Sequence, residues 1–130
     1  PMLEGCANRR LLVVDDEPAV GLFVRRTAEA LGFEVLVATS GRQFMDAWAG
    51  FAPTAIVMDI VMPEVDGMEL IQWLTKAGYD GQLIVVTGYA PDYATVAGHL
   101  AEISGRMAVC SLTKPLQLEE LEAVLSDHHG

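Results

Sequence analysis

The sequence predicts an α/β fold, a single doubly wound five-stranded parallel sheet with helices on both faces. Apolar runs alternate with stretches of helical spacing five times along the chain, and three of the runs are almost uninterrupted by polar residues. Alternating strands and helices favour a parallel sheet with right-handed crossovers. The length of 130 residues fits one domain with a single well-filled core.

Five apolar runs predict the strands. They are LLVV (11–14), EVLVAT (34–39), AIVM (55–58), LIVVT (83–87) and MAVCSL (107–112). The first, third and fourth are near-continuous apolar runs, which is typical of strands that are covered on both faces. We therefore expect helices to pack on both sides of these three strands.

Start and stop signals place the first three helices. The first begins at Pro18 and ends at Gly32, since Pro is favoured at the start of a helix and Gly just past its end. Ser40 is a suitable N-cap for the second helix. Asp66 is the expected cap of the third, which Gly78 closes.

The last two helices follow the fourth and fifth strands. A segment from Asp92 to about Ser104 is expected to be helical, although its apolar spacing is less regular. A final helix follows Pro115, and its apolar residues recur on one face. These residues are Leu118, Leu121, Val124 and Leu125.

Composition and charge narrow the partners of the chain. The net charge of −10 argues against direct contact with nucleic acid or an anionic membrane and favours a divalent cation or a basic partner. No apolar run reaches the length that a bilayer requires, and no signal segment opens the sequence. Cys6 and Cys110 form no metal-binding pattern, so we expect reduced thiols and a cytoplasmic protein. The chain begins at Pro1 without an initiator Met, which suggests processing or excision from a longer protein.

Polar residues collect at the carboxyl ends of the predicted strands. Asp15 and Asp16 follow the first strand, Asp59 the third and Lys114 the fifth, and Thr87 ends the fourth. Ligands of parallel α/β sheets bind at this edge. Clustered carboxylates raise one another's pKa unless a cation neutralises them, and Mg²⁺ suits such oxygen ligands. A nearby ammonium and hydroxyl group would suit a phosphoryl oxygen.

Each of these residues also has an ordinary structural interpretation. Asp15 or Asp16 could cap the first helix, and Asp59 could simply end its strand. Thr87 could be a β-branched strand residue, and Lys114 a solvated loop charge. None of these interpretations explains why all the polar groups occur at the same kind of position.

The order DD, then D followed by MP and DG, then T, then KP resembles the receiver (CheY-like) domain of two-component response regulators. The resemblance covers about residues 9–127, so residues 1–8 and 128–130 are expected to be tails. It implies a flavodoxin-like (βα)5 fold. It also implies a phosphorylation-dependent signalling switch rather than an enzyme, since such a domain catalyses at most its own phosphotransfer and dephosphorylation.

The resemblance implies a role for each site residue. Asp59 would accept a phosphoryl group from a histidine kinase as a carboxylate nucleophile. Thr87 and Lys114 would each bind a phosphoryl oxygen.

The resemblance also implies a Mg²⁺ site. Asp16 and Asp59 would bind the ion directly, and Asp15 would act mainly through water. The backbone carbonyl of Val61 would complete the ligands that the protein supplies.

Partners follow from the same resemblance. The donor would be a sensor histidine kinase or a phosphotransfer protein. A downstream effector would bind the face formed by the fourth helix, fifth strand and fifth helix, and this face could also support a homodimer. Neither nucleic acid nor a membrane is expected to bind directly.

The chain departs from the family pattern at several positions. Ser111 stands where the family usually has an aromatic switch residue, and Tyr89 or Tyr93 could supply the missing ring. Val61 is apolar where many relatives are polar, so we expect slow self-dephosphorylation.

Two other functions are alternatives to a signalling switch. A metal-dependent phosphatase with an aspartyl nucleophile would carry DxDxT after the first strand, where this chain has adjacent Asp15 and Asp16. A pseudo-receiver that only binds partners, without phosphorylation, would lack the acidic site.

Overall fold

A computed structural model describes residues 9–60, 67–88 and 107–126. Its elements follow the predicted order, and each strand boundary lies within one residue of the prediction. They are β1 (Arg10–Val14), α1 (Pro18–Ala30), β2 (Glu34–Ala38), α2 (Gly41–Phe51), β3 (Ala55–Asp59), α3 (Gly67–Ala77), β4 (Gln82–Thr87), β5 (Ala108–Thr113) and α4 (Leu118–Ser126). The predicted fold class is confirmed.

The five strands form one parallel sheet in the order β2-β1-β3-β4-β5. The chain first moves outward from β1 to β2 and then returns past β1 to β3. This reversal opens a crevice at the carboxyl ends of β1 and β3, where ligands of such sheets bind. In the register of the central strands, Val14 pairs with Met58, and Asp59 pairs with Val86.

Helices cover both faces of the sheet, as predicted. One core cluster joins the sheet to α2 and α3 and includes Leu12, Phe44, Met58, Leu70 and Leu74. The other joins it to α1 and α4 and includes Leu11, Val24, Val57, Ile84 and Leu121. Apart from their first residues, β1 and β4 are fully buried, as is all of β3, which confirms the interpretation of their apolar runs.

The predicted helix signals are found at the described helix ends. Pro18 is the first residue of α1, and Gly32 follows this helix with φ of 93°, a conformation that L side chains rarely adopt. Ser40 caps α2, because its hydroxyl accepts a hydrogen bond from the Gln43 backbone N–H at 3.1 Å. Gly78 follows α3 with φ of 80°.

Several predictions lie outside the described residues. They concern the two tails, the helix cap at Asp66, the Val61 carbonyl, the helix from 92 to 104, and the tyrosines Tyr89 and Tyr93. Among the helices that the structure does describe, none is long and apolar enough to span a bilayer.

Candidate functional site

Two buried carboxylates lie side by side at the crevice. Asp15 directly follows β1, and Asp59 is the last residue of the neighbouring strand β3. The residues are 2% and 5% exposed. The parallel pairing of β1 and β3 brings the ends of both strands to the same edge, so two residues 44 positions apart share one site.

A third carboxylate, that of Glu17, joins them. One oxygen from each of Asp15, Glu17 and Asp59 lies within 4.8 Å of the other two. The Glu17 backbone N–H donates to Asp15 Oδ1 at 2.9 Å, which folds the loop after β1 back on itself. Glu17 is not among the predicted site residues, because it lies in the loop after β1 and not directly at a strand end. The signal was the third acid in DDEP.

Glu17 is also the N-cap residue of α1, so neither Asp15 nor Asp16 caps that helix. Asp16 is exposed and does not belong to the carboxylate group found among the described residues. Its role as a direct metal ligand therefore stays a prediction, as does that of the Val61 carbonyl.

The ammonium group of Lys114 lies among the three carboxylates. Its Nζ atom is 2.7 Å from Glu17 Oε1, 3.3 Å from Asp59 Oδ2 and 3.5 Å from Asp15 Oδ2. Lys114 directly follows β5, and its backbone N–H donates to the Thr87 carbonyl at 2.8 Å. The structure thus holds this cation against the acids from a fixed strand end.

Burial and charge shift the pKa of two of these groups. Burial raises the pKa of the Asp15 carboxyl to about 6, with a smaller contribution from the negative charge of Asp59. Burial alone would lower the pKa of Lys114. The ion pair with Glu17 and the charges of Asp15 and Asp59 outweigh it, so the pKa of Lys114 lies above its ordinary value. The ammonium form is therefore retained at neutral pH.

Thr87 completes the set of predicted residues that meet here. It is the last residue of β4, is 2% exposed, and lies one position beyond Val86, the partner of Asp59. The sheet therefore brings Asp15, Asp59, Thr87 and Lys114 to one edge, as the strand-end positions predicted.

Strand β5 carries Ser111, one of the departures from the family pattern, and the neighbouring Cys110. Ser111 is exposed on β5, where it pairs with Val85. Cys110 is half-buried and packs against the core cluster of α1 and α4, as a free cysteine commonly does.

The model of one protein family, described as the response regulator receiver domain, matches residues 11–126 of this chain. The chain belongs to the response regulator receiver family. Response regulator MprA of Mycolicibacterium vanbaalenii is 38% identical to this receiver domain over 114 residues, which are 88% of the chain and 47% of the relative. The receiver domain thus spans about half the length of the curated relatives that it matches.

Solved structures agree with this assignment. A response regulator from Colwellia psychrerythraea is 26% identical, with a TM-score of 0.75 and coverage of 92% of this chain and 94% of that one. A CheY-like receiver domain from Methanospirillum hungatei, 23% identical, superposes with a TM-score of 0.78 and coverage of 92% and 91%, which shows a shared fold. The receiver domain is a signalling module, and the phosphatase and pseudo-receiver alternatives are not favoured.

The residues of the acidic edge fit a hard divalent cation. Carboxylate oxygens are the ligands that Mg²⁺ prefers, and it usually binds through a few carboxylates and several waters. Three carboxylates against one ammonium leave an excess of negative charge at this edge. Burial raises the pKa of Asp15, so its ionised form carries a cost that a bound cation would offset.

Proposed function

We propose that this receiver domain takes a phosphoryl group on Asp59 and changes its partner-binding surface in response. The observation that carries the proposal is the contact of the Lys114 ammonium with Asp59 at the carboxyl edge of the sheet, 3.3 Å apart. A carboxylate beside a fixed cation is suited to accept an anionic phosphoryl group, because the cation offsets the added charge.

In the proposed reaction an Asp59 carboxylate oxygen attacks the phosphorus of a phosphohistidine. A P–O bond forms as the P–N bond breaks, and the bonding electrons of that P–N bond return to the imidazole nitrogen, which takes up a proton. The product is an acyl phosphate on Asp59. Lys114 and the Thr87 hydroxyl would each bind a phosphoryl oxygen, so the protein mainly positions groups and balances charge.

Asp15, Asp16, Asp59 and the Val61 carbonyl would hold Mg²⁺. When bound, the ion would neutralise charge on the phosphoryl oxygens. Support for the ion comes from the carboxylate oxygens of Asp15 and Asp59, which lie within 4.8 Å of each other and of a Glu17 oxygen, and from the burial of both aspartates.

The receiver domain would extend over residues 9–127, with tails at 1–8 and 128–130. The donor would be a sensor histidine kinase or a phosphotransfer protein in the cytoplasm. The effector would bind the face formed by the helix predicted at 92–104, strand β5 and helix α4, which is the fifth helix of the prediction. A homodimer could use the same face. The net charge of −10 disfavours nucleic acid and membranes as direct partners. No turnover beyond its own phosphotransfer and dephosphorylation is proposed.

Intact-mass measurement tests this function. The wild type and Asp59→Asn are incubated with acetyl phosphate and Mg²⁺, with and without chelator. We expect the mass of one added phosphoryl group on the wild type alone, and only without chelator. A folded wild type that binds Mg²⁺ but gains no phosphoryl group would instead indicate a binding module without phosphotransfer chemistry.

A further inference from the structure

Glu17 makes the shortest of the three contacts between a carboxylate and the Lys114 ammonium, at 2.7 Å. A residue at the start of a helix often uses its side chain to satisfy helix N–H groups. Within the described residues the Glu17 side chain makes no such bond. Its carboxylate instead binds a lysine that is 97 positions away in the chain.

The backbone of Glu17 is held in place. Its N–H donates to Asp15 Oδ1, and its carbonyl accepts hydrogen bonds from the N–H groups of Val20 and Gly21 at 3.1 and 3.2 Å. The Glu17 side chain is 60% exposed, whereas that of Lys114 is 22% exposed. The Glu17 carboxylate is therefore the solvent-exposed partner of this ammonium, whereas Asp15 and Asp59 are buried.

An open cavity of about 550 Å³ borders this ion pair. Its lining includes Glu17, Phe23, Gly88, Lys114 and Leu116. The Asp59 side chain is only 7% exposed, and the Lys114 ammonium contacts its carboxylate. A phosphodonor that approaches from this cavity meets the negative charge of Glu17 and a lysine that is already paired.

We propose that Glu17 is a positioning residue that restrains phosphorylation of Asp59, because in the resting protein its carboxylate competes with an incoming phosphoryl group for the Lys114 ammonium. This inference rests on the proposed function. Glu17 takes no part in bond making. The Glu17–Lys114 pair opens when the phosphoryl oxygens compete for the ammonium, and the phosphorylated protein no longer contains it.

Removal of the Glu17 charge tests the restraint. Glu17→Gln keeps the size of the side chain and loses its charge. With saturating Mg²⁺, we measure the second-order rate constant for phosphoryl transfer from acetyl phosphate by a time course of intact mass. We expect an increase of about two- to fivefold, the range for loss of a partly exposed ion pair.

Glu34→Gln is the matched control. Glu34 forms an exposed ion pair with Arg10 at 3.9 Å, at the opposite edge of the sheet. The substitution makes the same change in net charge, and we expect a wild-type rate. Glu17→Asp keeps the charge but is too short for the 2.7 Å contact, so its rate should fall between those of the wild type and Glu17→Gln.

The dependence of the Glu17→Gln rate gain on donor charge and on salt distinguishes an electrostatic effect of Glu17 from a structural one. Phosphoramidate carries one negative charge fewer than acetyl phosphate at neutral pH, so the gain in Glu17→Gln should be smaller with it. Added salt should also reduce the gain, because it screens charges near the surface.

Each outcome decides between the alternatives. A Glu17→Gln rate that equals or falls below the wild-type rate overturns the restraint, as does a gain that is independent of both salt and donor charge. If the wild type forms an adduct and only the gain is missing, the restraint fails alone. If the folded wild type forms no adduct, the proposed function fails, and the restraint on that reaction fails with it.

Discussion

Lys114 Nζ lies 3.3 Å from Asp59 Oδ2, although 55 residues separate them in the chain. They meet because β3 and β5 both pair with β4 in parallel and end at the same edge of the sheet. In the resting receiver domain this ammonium therefore occupies the negative region that a metal ion would share.

Replacement of Lys114 by Met should separate metal binding from phosphorylation. Loss of the ammonium removes a competitor for the carboxylates, so we expect Mg²⁺ to bind about two- to fivefold more tightly. Phosphorylation by acetyl phosphate should fall by about tenfold or more, because a preorganised positive charge is lost. Isothermal titration calorimetry and intact-mass time courses measure the two effects.

Lys76→Met is the control for this substitution. Lys76 is exposed on α3, and its replacement by Met makes the same change in net charge. It should leave the phosphorylation rate unchanged. Weaker Mg²⁺ binding in Lys114→Met would contradict the view that the lysine and the metal compete for the same carboxylates.

The buried Asp15 carboxylate should make the metal-free protein less stable at neutral pH than near pH 4. Its pKa is raised to about 6 in the folded protein, from about 4 in the unfolded chain, so the folded state holds the proton more tightly. Stability is then lost as pH rises from about 4 through about 6. Asp15→Asn should raise the free energy of unfolding by about 1–2 kcal/mol at pH 7.5 and change it little near pH 4.

Urea unfolding in the presence of a chelator measures this difference. Asp46→Asn, at an exposed position of α2, makes the same change in charge and serves as the control. A gain of equal size at both pH values would mean that burial of the Asp15 charge is not its source.

Tyr79 should contribute stability that is lost at high pH. Its hydroxyl is buried and donates to the Gln82 carbonyl at 2.7 Å, and burial raises the pKa of the phenol above its ordinary value. This contribution is complete below about pH 10, the unfolded pKa, and decreases as pH rises further. Tyr79→Phe should cost about 1 kcal/mol near pH 8, and the cost should shrink above pH 10. Denaturant unfolding at both pH values measures the change; a cost that stays constant would argue against an ionising phenol.

Gly81 should tolerate no side chain. A Cβ atom there would lie 2.6 Å from the Thr54 carbonyl oxygen and 2.5 Å from the Tyr79 hydroxyl. Gly81→Ala should therefore lower the free energy of unfolding by about 1–3 kcal/mol. Gly50 in α2 is the matched control, because a Cβ there meets nothing within 4 Å. Gly50→Ala should be neutral or stabilising by about 0.5 kcal/mol, and equal losses at both positions in thermal unfolding would contradict this account.

The strands could be predicted from the sequence because their signals are local. The apolar runs that form β1, β3 and β4 reflect burial on both faces, which any parallel order of the sheet would require. The starts and ends of α1 and α2 follow from Pro18, Gly32 and Ser40, whose backbone preferences act over a few residues.

The candidate site could be predicted in part. Asp59, Thr87 and Lys114 stood out because parallel strands end at one edge, so position along the strand was sufficient. Glu17 did not stand out, since it lies in a loop and its partner is distant in the chain. The burial of Asp59 did not stand out either, because its 7% exposure and its contact with Lys114 depend on the packing around the strand end.

The fold class, the family and the acidic character of one sheet edge follow from periodicity and from residue type at strand ends, so they could be predicted from the order of residues. The pairing of Glu17 with Lys114, the burial and raised pKa of Asp15, and the position of the lysine among three carboxylates emerge from the folded arrangement. The reason is physical: the energies of ion pairs and buried charges depend on distances and solvent exposure, which the order of residues in a chain does not specify.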